Sequence, residues 1–339
     1  MDTIGIDRAV ELTSAFRGKN VTVVGDSMLD QWIWGSVSRI SPEAPVPVVD
    51  VERLSYTPGG AANVVNNMES LGGNVSVFTV TGDDESASRL SGELERRGVD
   101  VSGIVRDPGR PTTTKTRIVA NSQQLCRTDT EMRTPVSGGV LEALRSPLAA
   151  SIARSDVCVL SDYNKGLFSP ELFSTILSAA EEAGVMIVTG PKPANIELFR
   201  GSHLMTLNEK EAREAGGRLA GGMSITGIGE GLRSGLGLEA LLVTRGDKGM
   251  VLFESGREPF SIPALASEVY DVSGAGDTVL SVAALALSAG ASFREAVVLA
   301  NFAAAVVVKK VGTATVSVPE LVEMIEWHAG KAPLRGGRF

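Results

Sequence analysis

The chain of 339 residues carries a formal net charge of −8, with 43% apolar and only 5% aromatic residues. That balance suits one large α/β domain with an appendage, or two modest domains, and it disfavours a nucleic-acid partner. Two cysteines, Cys126 and Cys158, are too few for a disulfide framework or a thiolate zinc site. The first sixteen residues hold Asp2, Asp7 and Glu11 and no signal-peptide core, and no unbroken apolar stretch is long enough for a bilayer, which predicts a soluble, cytoplasmic protein with no membrane partner.

After an amphipathic start, residues 21–24 read as a short apolar strand closed by Gly25-Asp26. Open α/β sheets bind ligands at the carboxyl ends of their strands, so Asp26 and Asp30 are candidates for holding a ligand's polar groups. Each is equally open to a turn or cap role. Residues 31–57 break the strand–helix rhythm with Trp32, Trp34, Pro42, Pro45, Pro47 and an alternating apolar run, which predicts a small exposed sheet. Pro58-Gly59-Gly60 then opens a helix over 61–71, stopped by Gly72-Gly73. Asn63, in its first turn, is expected to face a ligand, and Asn66 and Asn67 to form a solvated or locally bonded face.

A strand over 75–80 and a helix over 85–97 follow, and then a second irregular insert, about 110–130. Its β-branched alternation predicts strands that pair with the first insert as a lid. From there the rhythm is regular. A strand over 157–160 runs into the loop Ser161-Asp162-Tyr163-Asn164-Lys165-Gly166. Ser169 and Pro170 start a helix that Gly184 ends, and a strand over 185–189 precedes Gly190-Pro191-Lys192. The glycine-rich region 216–237 lacks a P-loop pattern and reads as a helix pair with a mobile connection. A strand over 240–244, a turn at Arg245-Gly246 and a hairpin partner over 250–253 come next. Alternating strands and helices predict an α/β fold: a mainly parallel sheet covered by helices on both faces, with a small β lid. The basic, glycine-rich end, 331–339, is expected to fray.

The chain is organised around Asp271-Val272-Ser273-Gly274-Ala275-Gly276-Asp277-Thr278, which leads into an almost wholly apolar run ending at Gly290. Such a run reads as a buried helix. Its first N–H groups lack intrahelical partners and carry the positive end of the helix dipole, so this backbone suits anionic oxygen. A carboxylate would compete with that anion. Asp277 is therefore read either as a general base beside a phosphoryl group or as a residue that merely caps its helix.

Gly59-Gly60 with Asn63, and Gly274-Ala275-Gly276-Asp277, resemble the two signatures of the ribokinase-like (PfkB) carbohydrate kinases. Several stretches resemble the heptose-7-phosphate kinases within that family: Ser38-Arg39-Ile40-Ser41-Pro42-Glu43-Ala44-Pro45-Val46-Pro47-Val48, Gln123-Gln124-Leu125 with Arg127 and Asp129, Ser161-Asp162-Tyr163 with Lys165-Gly166, and residues 310–317. The resemblance runs from about residue 21 to 321. It implies a ribokinase-like fold and an ATP-dependent enzyme that phosphorylates the anomeric C1 hydroxyl of D-glycero-β-D-manno-heptose 7-phosphate. The 1,7-bisphosphate product lies on the route to ADP-heptose for lipopolysaccharide cores. The alternatives are a PfkB kinase of another sugar or sugar phosphate, or a non-catalytic sugar- or nucleotide-binding regulator.

By the same resemblance Asp277 is the catalytic base, and the backbone of Gly274, Ala275 and Gly276 forms the anion hole. Asp26, Asp30, Gly59, Gly60 and Asn63 bind the sugar. Asn208 and Glu211 take the family's Asn-x-x-Glu position beside Mg²⁺ and the nucleotide phosphates. Glu209, Lys210, Thr244, Gly246 and Asn301 belong to the ATP side, and Asp271 is the candidate for a monovalent cation such as K⁺. The substrate's own phosphate needs cations, for which Arg39, Arg117, Arg127 and Lys165 are the candidates, Arg39 foremost. Each is also open to a surface ion pair. Residues 1–339 are expected to form one kinase domain without the nucleotidyltransferase domain that some members carry, leaving that step to another protein. The chain departs from the family at Gly190-Pro191-Lys192, where Asp-Pro-Lys is expected, so Lys192 is read as a phosphate contact or an exposed loop lysine. The apolar lid predicts a homodimer formed through the lids.

Overall fold

The computed structural model describes residues 4–217, 224–265, 270–310 and 312–330. The connection expected to be mobile within 216–237 falls largely at 218–223, and the basic end at 331–339; both lie outside the described residues. Helix α1 (Ile6–Ser14) leads to strand β1 (Asn20–Gly25), and β2 (Ser27–Ile40) and β3 (Pro47–Gly60) then form a long hairpin. Next come α2 (Ala61–Ser70), β4 (Asn74–Thr81), α3 (Glu85–Glu95) and β5 (Asp100–Arg106), followed by a second hairpin, β6 (Thr114–Ala120) and β7 (Gln123–Thr130). The remainder runs α4 (Gly138–Ile152), β8 (Val157–Ser161), α5 (Pro170–Ala183), β9 (Met186–Gly190), β10 (Leu204–Asn208), α6 (Glu209–Gly217), α7 (Ile225–Gly235) and β11 (Ala240–Thr244). It closes with β12 (Met250–Glu254), β13 (Phe260–Ile262), α8 (Ala275–Ser288), α9 (Phe293–Val307) and α10 (Val318–His328).

Among the described residues the strands form a nine-stranded sheet in the order β13-β12-β11-β10-β9-β8-β1-β4-β5 and a four-stranded sheet in the order β3-β2-β6-β7. From β11 to β5 every pairing is parallel, and β12 runs antiparallel to both its neighbours. Successive side chains of a strand point to opposite faces, and the core divides accordingly. Val157 and Val159 of β8 join one apolar cluster with α2, α8, α9 and α10, while Cys158 and Leu160 join another with α4, α5, α6 and α7. A nearly continuous apolar strand is what burial on both faces requires. The ends of α5 follow the expected chemistry: the Ser169 hydroxyl accepts from Leu172 N–H, and Gly184 is left-handed at the other end. The strands β5 and β13 and the helix α4 carry too little periodicity to be read from the sequence.

Helix α8 is buried along its whole apolar length, as its composition predicts, and it crosses α2. Of the two alternatives expected for Asn66 and Asn67, that packing removes the solvated face. Asn66 and Asn67 are not solvated but buried. Asn67 donates to Asn63 O at 2.9 Å, a local bond, and also accepts from the Thr278 hydroxyl at 2.8 Å. Ser281 donates to Val64 O at 3.2 Å. The Thr278 hydroxyl thus satisfies the Asn67 acceptor of α2 in a buried interface, where an unpaired acceptor costs about 1–3 kcal/mol. We expect Thr278→Val, nearly isosteric, to lower stability by about that amount, read as a drop in the urea midpoint; an unchanged midpoint contradicts this role.

Candidate active site

The β2–β3 and β6–β7 hairpins rise from the carboxyl end of the main sheet, and the α8 N-terminus lies below them. Gly274 stands at the N-cap with φ of 81°, and no side chain caps the helix. A Cβ on Gly274 would lie 2.8 Å from Asn63 Nδ2, so close approach and backbone conformation both require glycine here. The Gly276 and Asp277 N–H groups, in the first turn, have no carbonyl inside the helix to bond and are available to an anion.

Asp277 does not cap its helix. Its Oδ2 accepts from Asn63 Nδ2 at 2.7 Å, and its Oδ1 accepts from the Tyr163 hydroxyl, also at 2.7 Å. Burial pushes this carboxyl above its ordinary range, while the bonds from Asn63 and Tyr163 and the charge of Lys192 oppose the rise. Tyr163 is the residue that sequence reasoning missed. It stood in a quoted motif without a role, and only its distance from Asp277 in the fold assigns one.

Asp26 is buried at the end of β1, and its Oδ2 accepts from Tyr163 N–H at 2.9 Å and Lys165 N–H at 3.0 Å. Burial and the neighbouring Asp162 charge raise its pKa to about 6, against the pull of the Lys165, Tyr163 and Leu167 N–H groups. Asp162 accepts from Asn164 N–H at 2.7 Å, from Lys192 N–H at 3.0 Å and from Asn195 Nδ2. The two buried carboxylates therefore tie down the loops that carry Tyr163 and Lys192. Gly59 and Gly60 pair with Met28 and Ser27 at the base of the lid. A Cβ on Gly60, whose φ is 59°, would strike Asp26 O at 2.4 Å. The Oδ1 atoms of Asn63 and Asn66 are buried without a partner.

A cavity of about 110 Å³ adjoins Asp277 and is lined by Tyr163, Lys192, Asn208, Glu211, Thr244 and Gly276 among others. Asn208 and Glu211 form a reciprocal cap on α6: Glu211 N–H donates to Asn208 Oδ1 at 2.8 Å and Asn208 N–H to Glu211 Oε2 at 3.0 Å. Lys192 is not a free loop lysine. Its ammonium lies 2.6 Å from Glu211 and 4.9 Å from the centre of the Tyr163 ring. Gly190 borders the same cavity, and a Cβ there would come 3.2 Å from Leu280. Glu209 is bound up with Arg213 and Arg245, Lys210 is exposed, and Gly246 follows β11 in a turn. Asn301 stands apart: it donates to Pro263 O at 2.9 Å and lines a separate cavity between α1, α9 and α10. Asp271 accepts from Ser273 N–H at 2.8 Å and Gly312 N–H at 3.0 Å, joining the α8 loop to the segment after α9.

The candidate cations are all paired. Arg117 bonds Asp30 and lies 4.9 Å from the Trp32 ring centre, and Lys165 bonds Glu131 at 2.6 Å. Arg127 bonds Asp129 at 2.8 Å, and Arg39 has only a 3.9 Å contact with Asp50. The Asp30 charge acts on Asp277 and Tyr163, and the Arg117 charge on Asp271, so these groups share one cleft. Arg39 does not. It lies nine residues on from Asp30 along β2, past two bulges, and is exposed toward the tip of the lid with Asp50 beside it. Register, which the residues alone do not reveal, makes the difference.

The chain matches the model of the pfkB family carbohydrate kinases over residues 19–321. It is 42% identical over 314 residues to the "Bifunctional protein HldE" of Desulfatibacillum aliphaticivorans, covering 92% of this chain and 64% of that protein. It is 44% identical over 307 residues to the protein of that name from Geobacter metallireducens, covering 90% and 63%. The chain thus spans under two thirds of the length of these relatives. The structure of Arabidopsis thaliana ribokinase complexed with ribose and ATP superposes with a TM-score of 0.71 at 19% identity, covering 91% of this chain and 99% of that one. The fold is ribokinase-like. The chain belongs to the pfkB family of carbohydrate kinases, ATP-dependent enzymes that use a divalent metal.

Proposed function

We propose that this kinase transfers the γ-phosphoryl group of ATP to the anomeric C1 hydroxyl of D-glycero-β-D-manno-heptose 7-phosphate. The product would be the 1,7-bisphosphate used to make ADP-heptose and lipopolysaccharide core in the cytoplasm. The observation that carries the chemistry is the Asp277 carboxylate, held by Asn63 and Tyr163 beside the open N–H groups of α8. The heptose assignment rests on the lid and loop motifs and on the identity of 42% and 44% to two HldE proteins over about nine tenths of the chain.

Asp277 takes the proton of the C1 hydroxyl as that oxygen bonds to the γ-phosphorus and the bond to the bridging oxygen of ADP breaks. The Gly276 and Asp277 N–H groups face the charge that builds on the transferring group. Among the described residues no cluster of three or more Asp, Glu, His or Cys is arranged to hold a metal ion. Mg²⁺ favours few protein ligands, and Glu211 and Asn208, which line the cavity beside Asp277, are the residues that would stand next to it. Bound there, Mg²⁺ supplies neutralising charge to the phosphates. Asp271, with the loop it ties down, is our candidate neighbour for K⁺. On the sugar side Asn63, Asp30 and the Gly59-Gly60 turn bind hydroxyls, while Arg117, Arg127 and Lys165 meet the 7-phosphate by exchanging their carboxylate partners. Arg39 can serve only across a dimer.

The homodimer is proposed through the lid. Asp30, Trp32 and Trp34 share its cleft-facing side, where the tryptophans stack at 5.4 Å with Arg117 and Arg53 over their rings. The opposite side carries Ile33, Leu54 and Ile118 in register, with Leu54 47% exposed and Val51 58% exposed. A second lid covering that side would remove apolar surface from water. We expect Leu54→Asp to yield monomers in sedimentation at concentrations where wild type is dimeric; a wild-type monomer contradicts the interface. For the chemistry, we expect Asp277→Asn to fold and bind ATP but lose at least about a hundredfold in kcat, the scale of a general base. ADP release close to wild type would remove Asp277 from the mechanism.

A further inference from the structure

Both oxygens of the proposed general base are already hydrogen-bonded, one by Asn63 and the other by the Tyr163 hydroxyl. The Tyr163 hydroxyl has one proton, and it is directed at Asp277 Oδ1 at 2.7 Å. The rest of the tyrosine is fixed around that bond. Its N–H donates to Asp26 Oδ2, its ring lies under the Lys192 ammonium, and Lys192 is anchored in turn on Glu211. The neighbouring residue, Asp162, clamps the backbone on both sides of the cleft through Asn164 N–H and Lys192 N–H. Nothing in these contacts lets the ring swing away while the β8 and β9 loops keep their places.

We propose that Tyr163 is a positioning residue for phosphoryl transfer: its hydroxyl fixes the Asp277 carboxylate in one orientation and holds it in the charged, proton-accepting form. This inference rests on the role proposed for Asp277 above. The groups that face Asp277 are Asn63 from α2, Tyr163 from the β8 loop, Lys192 from the β9 loop and Asp30 from the lid. Asn63 is neutral, and the charges of Lys192 and Asp30 act in opposite senses, so the two short hydrogen bonds are left to counter burial. Burial, together with the Asp277, Glu211 and Asp30 charges, holds the Tyr163 hydroxyl well above its ordinary range. Tyr163 therefore stays protonated and remains a donor throughout the working pH range. Its proton is not transferred. With Oδ1 and Oδ2 each held by a donor, the carboxylate cannot rotate, and its remaining lone pairs meet the sugar hydroxyl in a set direction. Loss of the tyrosine donor destabilises the charged form, so the carboxyl pKa rises and the base is protonated over more of the pH range.

The test compares wild type with Tyr163→Phe, which keeps the ring beneath Lys192 and is expected to melt within a few degrees of wild type. The direct reading is the titration of the Asp277 carboxyl carbon by NMR in ¹³C-labelled protein, assigned with Asp277→Asn. We expect it to move up by about one pH unit, the size of a hydrogen bond to a charged group. The acid limb of the pH–rate profile on heptose 7-phosphate is expected to move by the same amount. Near neutral pH, kcat should fall about tenfold while the KM for ATP stays within about twofold, the scale of one such bond. An unmoved carboxyl titration overturns the role of Tyr163 and leaves the transfer reaction standing. A wild-type enzyme inert toward sugar phosphates overturns the kinase reading whatever the titration does, and this residue's part in catalysis falls with it.

Discussion

A carboxylate held at the mouth of a buried apolar helix is the constraint on which the rest of the molecule depends. Placed beside so much apolar surface, Asp277 would be driven to its neutral form, and a neutral acid takes no proton. Asn63 and Tyr163 are the local answer, and each is supported by residues from other strands and loops. Asn63 is brought up by α2, whose Asn67 accepts from the Thr278 hydroxyl of α8 itself. Tyr163 is held by the Asp26 carboxylate and its loop by Asp162; both are buried and accept from backbone N–H groups, with the Asn195 amide also on Asp162. The helix that presents Asp277 thus also packs against the helix that brings Asn63 to it.

The glycine-rich approach to α8, the alternation of strands and helices and the two lid inserts were legible because each depends on nearby residues. A small-residue turn before an apolar run, or Ser169-Pro170 before a helix and Gly184 after it, carries its meaning within a few positions. The parts that were not legible depend on distance in the fold. Asn66 and Asn67 read as a solvated or locally bonded face because asparagine is a poor helix former; the local bond of Asn67 could be read that way, but the Thr278 hydroxyl that also satisfies it is far away in the sequence. Tyr163 stood in a recognised motif, yet its bond to Asp277 spans the sheet. Arg39 looked like a phosphate ligand by residue type, but the β2 register carries it to the tip of the lid. The Asn208–Glu211 pair shows the opposite case: its spacing is that of a helix capping box, a local signal present in the chain.

The lid separates two kinds of surface by strand alternation and by the bulge opposite Trp34 and Gly35. One side carries Asp30 and the arginine-covered tryptophans above the cleft, and the other carries exposed aliphatic residues. Closure over a sugar phosphate would bring the cleft side down on Asp277 and exclude water, which favours transfer to the sugar over hydrolysis of ATP. The paired state of Arg117, Arg127 and Lys165 suits that motion. Each cation already sits in a carboxylate's field, so under the proposed function a phosphate would gain from it only when the partner is exchanged, and that exchange would discriminate between sugars.

The measurement that bears most directly on the account is ³¹P NMR of the protein with ATP, Mg²⁺ and D-glycero-β-D-manno-heptose 7-phosphate. The account predicts that the γ-phosphate signal is lost in step with a new phosphomonoester signal coupled to the anomeric proton of the sugar. A new ester coupled to any other proton of the sugar, or inorganic phosphate in place of an ester, would contradict it.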